Sequence, residues 1–104
     1  MIKRILYICA HPDDCELLFG GTISKLVKKN IEISIIVVSD GTKWVRDKKI
    51  CFDEIKEQRK QEAINSAKML GVKNIYFLEH VDGMLEKQAL CASLLNYIRK
   101  VNPN

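Results

Sequence analysis

Apolar positions along this chain alternate between two periods. Ile2 to Cys9 is apolar apart from Lys3 and Arg4, the pattern of a strand buried on both faces of a parallel sheet. After an acidic interruption, Phe19, Ile23, Leu26 and Val27 recur at i, i+4, i+7 and i+8, one stripe of a helix that Asn30 can end. Ile31 to Val38 (IEISIIVV) is rich in β-branched residues and predicts a second strand. Asp53 to Gly71 is charged but carries Ile55, Ala63, Ile64, Ala67 and Leu70 at helical spacing, with Gly71 as its C-terminal cap. Asn74 to Leu78 (NIYFL) predicts a third strand. Glu86 to Val101 predicts a third helix, with Leu90, Cys91, Leu94, Leu95, Ile98 and Val101 on one side.

The predicted order is βαβαβα. Strands separated by helices pair in parallel through right-handed crossovers, so the chain reads as a three-layer α/β unit of Rossmann type. The final residues, VNPN, fall where a fourth strand would begin. The fold class is therefore α/β with a Rossmann-like parallel sheet, truncated before strand 4. Chemistry in such a sheet collects at the carboxyl ends of the strands, near the point where strand order reverses. Three loops share that edge: HPDDCE after strand 1, SDGTKW after strand 2 and EHVDG after strand 3. All three carry acids and two carry a histidine.

At 104 residues the chain is a single domain, residues 1–104, that buries roughly 60–70% of its unfolded surface. With 29% charged and 47% hydrophobic residues, it matches a globular protein rather than a disordered one. No apolar run approaches the ~20 residues of a membrane span, and no charged-then-apolar leader opens the chain, which sets the expectation of a cytoplasmic protein. The net charge of +4 comes from Lys3-Arg4, Lys28-Lys29, Arg46-Lys48-Lys49 and scattered residues at element ends. These are neither interleaved with aromatic residues nor laid along one helix face, so they read as solvated surface and not as a nucleic-acid site. The four cysteines, at 9, 15, 51 and 91, match no zinc-binding or disulfide framework. Cys9 and Cys91 read as small core hydrophobes, and the set fits a reducing compartment.

The stretch HPDDCE admits a purely structural reading. Asp13 can cap the first helix, with Glu16 three residues later completing a capping-box-like pattern. That reading leaves His11 without a role and does not explain a second acid at Asp14. The chemical reading uses both. His11 ends a strand, Pro12 fixes the next turn, and the two carboxylates diverge. An imidazole and one carboxylate supply two ligands for a divalent ion such as zinc. The other carboxylate, near but not bound, can take a proton from water. The small pair Gly20-Gly21 is expected to let the first helix approach the sheet closely.

AHPDDCELLFGGTI resembles the signature of the PIG-L/LmbE-like family, zinc-dependent deacetylases of N-acetylglucosaminyl conjugates. Further along, SDG at 39–41 resembles the family's TDG, RKQEAINSAKMLGV at 59–72 its R-x-x-E…A…LGV helix, and DGML at 82–85 its DG-x-L loop. The resemblance implies that His11 and Asp14 bind zinc or another divalent metal and that Asp13 is the general base. It implies substrate contacts at Arg59 and Asp82, a supporting role for Glu16, and no role as ligand or nucleophile for Cys15. The implied reaction is hydrolysis of an acetamide on an N-acetylated amino-sugar conjugate. Family members are more than twice as long, and the resemblance puts their third zinc ligand and their acid-assisting histidine after strand 4, beyond Asn104. His80, the only other histidine, sits where the family has no ligand and reads as a loop residue.

Two alternatives stand beside the enzyme. A non-catalytic remnant or binding module would keep the fold without tight metal. A nucleotide-binding Rossmann unit would need a Gly-rich phosphate loop after strand 1, and HPDDCE is not one. Without a fourth strand, the first strand is an apolar edge, which predicts a homo-oligomer through edge pairing.

Overall fold

The computed structural model describes residues 1–41, 51–80 and 83–104. Three strands, β1 (Arg4–Cys9), β2 (Glu32–Ser39) and β3 (Asn74–His80), alternate with three helices, α1 (Asp14–Lys28), α2 (Phe52–Leu70) and α3 (Lys87–Val101). The strands form one parallel sheet in the order β1-β2-β3.

β2 is central and meets the demand for apolar residues on both faces, with every residue from Ile33 to Ser39 buried. Ile33, Ile35 and Val37 point to one side, where they join Cys9, Cys15 and Ile23 in the core beneath α1. Leu26, Val27, Leu70, Ile75 and Phe77 pack around that cluster, so α1 and α2 cover the same face. α3 lies on the other face, where the Tyr97 ring meets Tyr76 of β3 at 4.8 Å.

β1 departs from the reading of a strand buried on both sides. Only Cys9 is buried, and Ile8 is 48% exposed, because β1 is an edge. The stripe on α3 is likewise unsealed: none of its residues is buried, and Cys91, Leu95 and Ile98 are exposed. A radius of gyration of 14.3 Å exceeds the about 13 Å expected of a compact domain of this length. One layer is open.

The end of the chain lies against that edge. The Asn104 N–H donates to the Arg4 carbonyl at 3.1 Å, and its side-chain oxygen accepts from the Lys3 and Arg4 amides. Residue 104 thus pairs with the start of β1 on its outer side. The loop after β1 stands at the carboxyl edge of the parallel sheet, the usual side for a ligand site.

Helix ends follow local chemistry. Gly71 closes α2 at φ +84°, and an added Cβ there would sit 2.7 Å from Val27 Cγ1. Glu86 caps α3, its carboxylate accepting from the Gln88 and Ala89 amides at 3.2 and 3.0 Å. The Gly20-Gly21 pair does not do what its composition suggested. A Cβ at Gly20 would only reach Leu70 at 4.0 Å, and one at Gly21 would meet nothing within 4 Å, so neither glycine is needed for close packing against the sheet.

Candidate functional site

Backbone hydrogen bonds tie the three predicted loops together at the carboxyl edge. The Ser39 amide and hydroxyl both donate to the Ala10 carbonyl, at 2.9 and 2.7 Å, and the Asp40 amide donates to the His80 carbonyl at 2.9 Å. β3 carries one extra residue between the pairs Val37–Phe77 and Ser39–His80, and Glu79 absorbs it at φ +60°. Such a bulge re-aims the side chains at a strand end. Here it makes His80, and not Glu79, the neighbour of Ser39. His80 is thus the last residue of β3 and not a loop residue, and its Nε2 is buried without a hydrogen-bond partner.

His11 and Asp14 face one another. The Asp14 amide donates to the His11 carbonyl at 3.2 Å, and Asp14 Oδ2 accepts from the His11 amide at 3.1 Å. This tight turn brings His11 Nδ1 to 3.5 Å from the same carboxylate oxygen. Zinc bound tetrahedrally at ~2.1 Å from each of two donors would separate them by about 3.4 Å. The pair therefore has the spacing of two ligands on one ion. Both side chains are partly exposed, at 41% and 34%, so an ion has a way in. Among the described residues, no group of three or more His, Cys, Asp or Glu side chains is placed to hold a metal. The set fits zinc as two donors, one fewer than the three of a catalytic site.

Asp13 occupies the N-cap position of α1, but its side chain accepts no hydrogen bond from the helix amides. The capping reading fails there. Its Oδ1 instead accepts from the Arg59 guanidinium of α2 at 3.3 Å. Gly41 makes that approach possible. At φ +69°, a Cβ on residue 41 would lie 2.9 Å from Pro12 Cδ and 3.1 Å from Arg59 Nε. The glycine of SDG thus leaves room for the arginine to pass behind Pro12 and reach the acid. Asp82 and the residues from Thr42 to Ile50 lie outside the described residues.

Two features escaped the reading of the residues. Cys9, at the end of β1, and Cys15, in the first turn of α1, are joined by a disulfide with their Cα atoms 6.1 Å apart. Cys51 and Cys91 are free and exposed. The bond corrects the view that the cysteines form no disulfide framework. Asp40 is a buried carboxylate, with Lys56 Nζ at 3.9 Å. It lines a cleft of about 210 Å³ together with Pro12, Lys56, Lys60, Phe77 and Glu79. That cleft is larger than the one shared by Asp13 and Arg59, about 100 Å³. Both of its lysines are paired within it, Lys56 with Asp40 and Lys60 with Glu79, Asp53 and Glu57 add further acids, and it holds none of His11, Asp13 or Asp14. The acid loop is the better candidate site.

Comparison with known proteins bears on the family and the fold. The family described as PIG-L, GlcNAc-PI de-N-acetylase, matches residues 6–104. The chain belongs to the PIG-L family. It is 34% identical over 103 residues to the diacetylchitobiose deacetylase of Thermococcus kodakarensis, across 98% of this chain and 39% of that one. It is 31% identical over 71 residues to a 1D-myo-inositol 2-acetamido-2-deoxy-alpha-D-glucopyranoside deacetylase of a Mycobacterium species, across 68% of this chain and 20% of that one. The structure superposes on the N,N'-diacetylchitobiose deacetylase of Pyrococcus horikoshii with a TM-score of 0.91 and 35% identity. That match covers 98% of this chain and 39% of the other. The relatives are deacetylases of N-acetylated sugars. The chain spans about 39% of the length of the chitobiose deacetylases it matches.

Proposed function

We propose that this chain forms the metal-binding half of a zinc-dependent deacetylase that removes an acetyl group from an N-acetylated amino-sugar conjugate. The observation that carries the reading is the division of labour in one turn. His11 and Asp14 stand 3.5 Å apart, while Asp13, between them in sequence, turns away from helix capping to meet Arg59.

His11 and Asp14 would hold the zinc, which supplies a Lewis acid for the amide carbonyl and lowers the pKa of water toward ~7. Asp13 is the general base. Arg59 engages Oδ1, which leaves Oδ2 to take a proton from the attacking water. The same carboxylic acid then returns the proton to the departing nitrogen, so water and amide become acetate and amine. Asp13 makes this Arg59 contact and no bond to the helix amides. A direct contact of Arg59 or Asp82 with the sugar belongs to the same proposal.

On its own the chain is expected to turn over poorly. Two protein ligands hold zinc loosely and leave the geometry of the water undefined. Without the acid-assisting histidine that the family resemblance implies, Asp13 handles the proton alone, which costs a further ~10²–10⁴-fold. The test is therefore a fusion of this chain to the remainder of the Thermococcus kodakarensis deacetylase, assayed for amine release from diacetylchitobiose with zinc in excess. Turnover that Asp13→Ala abolishes is the expected result. A folded, zinc-loaded fusion that releases no amine would exclude the enzyme and leave the binding module.

A further inference from the structure

The two bonded cysteines bracket the acid loop. Cys9 is the last residue of β1 and Cys15 the second residue of α1, so the bridge closes a ring around Ala10, His11, Pro12, Asp13 and Asp14. Their Cα separation of 6.1 Å lies within the range a disulfide spans without backbone movement. Both cysteines are buried, and they lie in the same core cluster as Ile23 and Ile35. The spacing hides this pairing. Five residues separate the cysteines in sequence, but the chain reverses at Pro12 and brings the end of a strand beneath the start of a helix. Cys51 and Cys91, exposed elsewhere, offer a built-in comparison.

We propose that Cys9 and Cys15 form a redox modification site whose oxidation staples the His11–Asp14 loop and whose reduction releases it. The oxidant is a small-molecule disulfide of the glutathione class. One cysteine thiol attacks it, the disulfide bond of the oxidant breaks, and one small thiol leaves. The second cysteine then attacks the mixed disulfide, the Cys9–Cys15 bond forms, and a second small thiol leaves. The two cysteines together lose two electrons and two protons, which depart on the two released thiols. Because both sulfurs are buried, exchange proceeds through opening of the loop. The bridge restricts the chain on both sides of the two facing donors and so preorganises them. That last consequence rests on the reading of His11 and Asp14 as ligands; the bridge and its effect on loop mobility do not.

The test uses the whole chain, without metal. Samples are equilibrated with oxidised or reduced glutathione, blocked with an alkylating reagent and digested with trypsin. The peptide covering residues 5–25 contains both cysteines and no internal cleavage site. From the oxidised sample it is expected unalkylated and two hydrogens lighter than the unlabelled dithiol. From the reduced sample it is expected doubly alkylated. Cys51 and Cys91, being free and exposed, are expected alkylated in the reduced sample and, in the oxidised one, either alkylated or carrying one glutathione each, but in no bridge within the chain. Amide hydrogen exchange over residues 10–15 is expected to be roughly tenfold slower in the oxidised form. Cys9→Ala and Cys15→Ser should each remove that difference between the two buffers. Alkylation of Cys9 and Cys15 in the oxidised sample, a bridge to Cys51 or Cys91, or equal exchange in both forms would overturn the proposal.

Discussion

Gly41 and Gly21 predict opposite outcomes for the same substitution. Gly41 sits at φ +69°, and an alanine Cβ there would lie 2.9 Å from Pro12 Cδ and 3.1 Å from Arg59 Nε. Holding a non-glycine residue in the left-handed region costs ~1–2 kcal/mol. Ordinary carbon contacts begin near ~3.5 Å, so the methyl would overlap the proline ring by about 0.6 Å. Pro12 is buried and its ring cannot rotate away, which adds the ~1–3 kcal/mol typical of overpacking. Gly41→Ala should therefore destabilise by ~2–5 kcal/mol, a large share of the ~5–15 kcal/mol that holds a domain together. Gly21 lies inside α1 with nothing within 4 Å of its would-be Cβ. Gly21→Ala should stabilise by ~0.5–1 kcal/mol, since alanine loses less entropy in a helix. Urea unfolding followed by circular dichroism measures both through the midpoint at constant slope. In a thermal scan, each kcal/mol corresponds to roughly 4–8 °C. A Gly41→Ala variant within about 0.5 kcal/mol of the parent, or a Gly21→Ala variant equally destabilised, would refute this steric origin.

Other expectations follow from named contacts. A double-mutant cycle on Asp13→Asn and Arg59→Met should give a coupling of ~0.5–1 kcal/mol, modest because the Asp13 side chain is half exposed; a value near zero would mean that Arg59 does not hold the acid. Glu86→Ala should cost ~0.5–2 kcal/mol by uncapping α3, with Glu86→Gln retaining part of that, both read by urea unfolding. Beyond Arg4, the outer edge of β1 is apolar and carries no charged residue from Ile5 to Cys9, so the chain should self-associate as its concentration rises. A single monomeric species throughout a sedimentation series would contradict that.

The order of elements was legible in the sequence because β-branched runs and helical stripes are local signals. Ile31–Val38 and Asp53–Gly71 each lie within a residue or two of the observed β2 and α2. The convergence of three loops was legible too, since parallel strands must end on one edge. Pairings that depend on tertiary approach were not. Nothing local to Asp13 announces that its carboxylate meets Arg59, 46 positions away, rather than the nearer helix amides. Cys9 read correctly as buried, but its bond to Cys15 depends on the reversal at Pro12. Gly20-Gly21 misled because a small pair suggests close packing, while the closest approach at a glycine of this site is at Gly41. Burial on β1 and α3 was overstated, since apolar character shows what a residue prefers and not whether another layer reaches it.

His11 and Asp14 are proposed as metal ligands, and Asp13 is not. Zinc titration by calorimetry on the intact chain, compared with His11→Ala, Asp14→Ala and Asp13→Asn, tests that assignment without requiring turnover. One zinc per chain is expected in the parent, bound more loosely than at a three-ligand site. Binding is expected to weaken at least about tenfold with either ligand substitution and to change little with Asp13→Asn. Zinc binding that survives both His11→Ala and Asp14→Ala, or that is lost only with Asp13→Asn, would contradict the assignment.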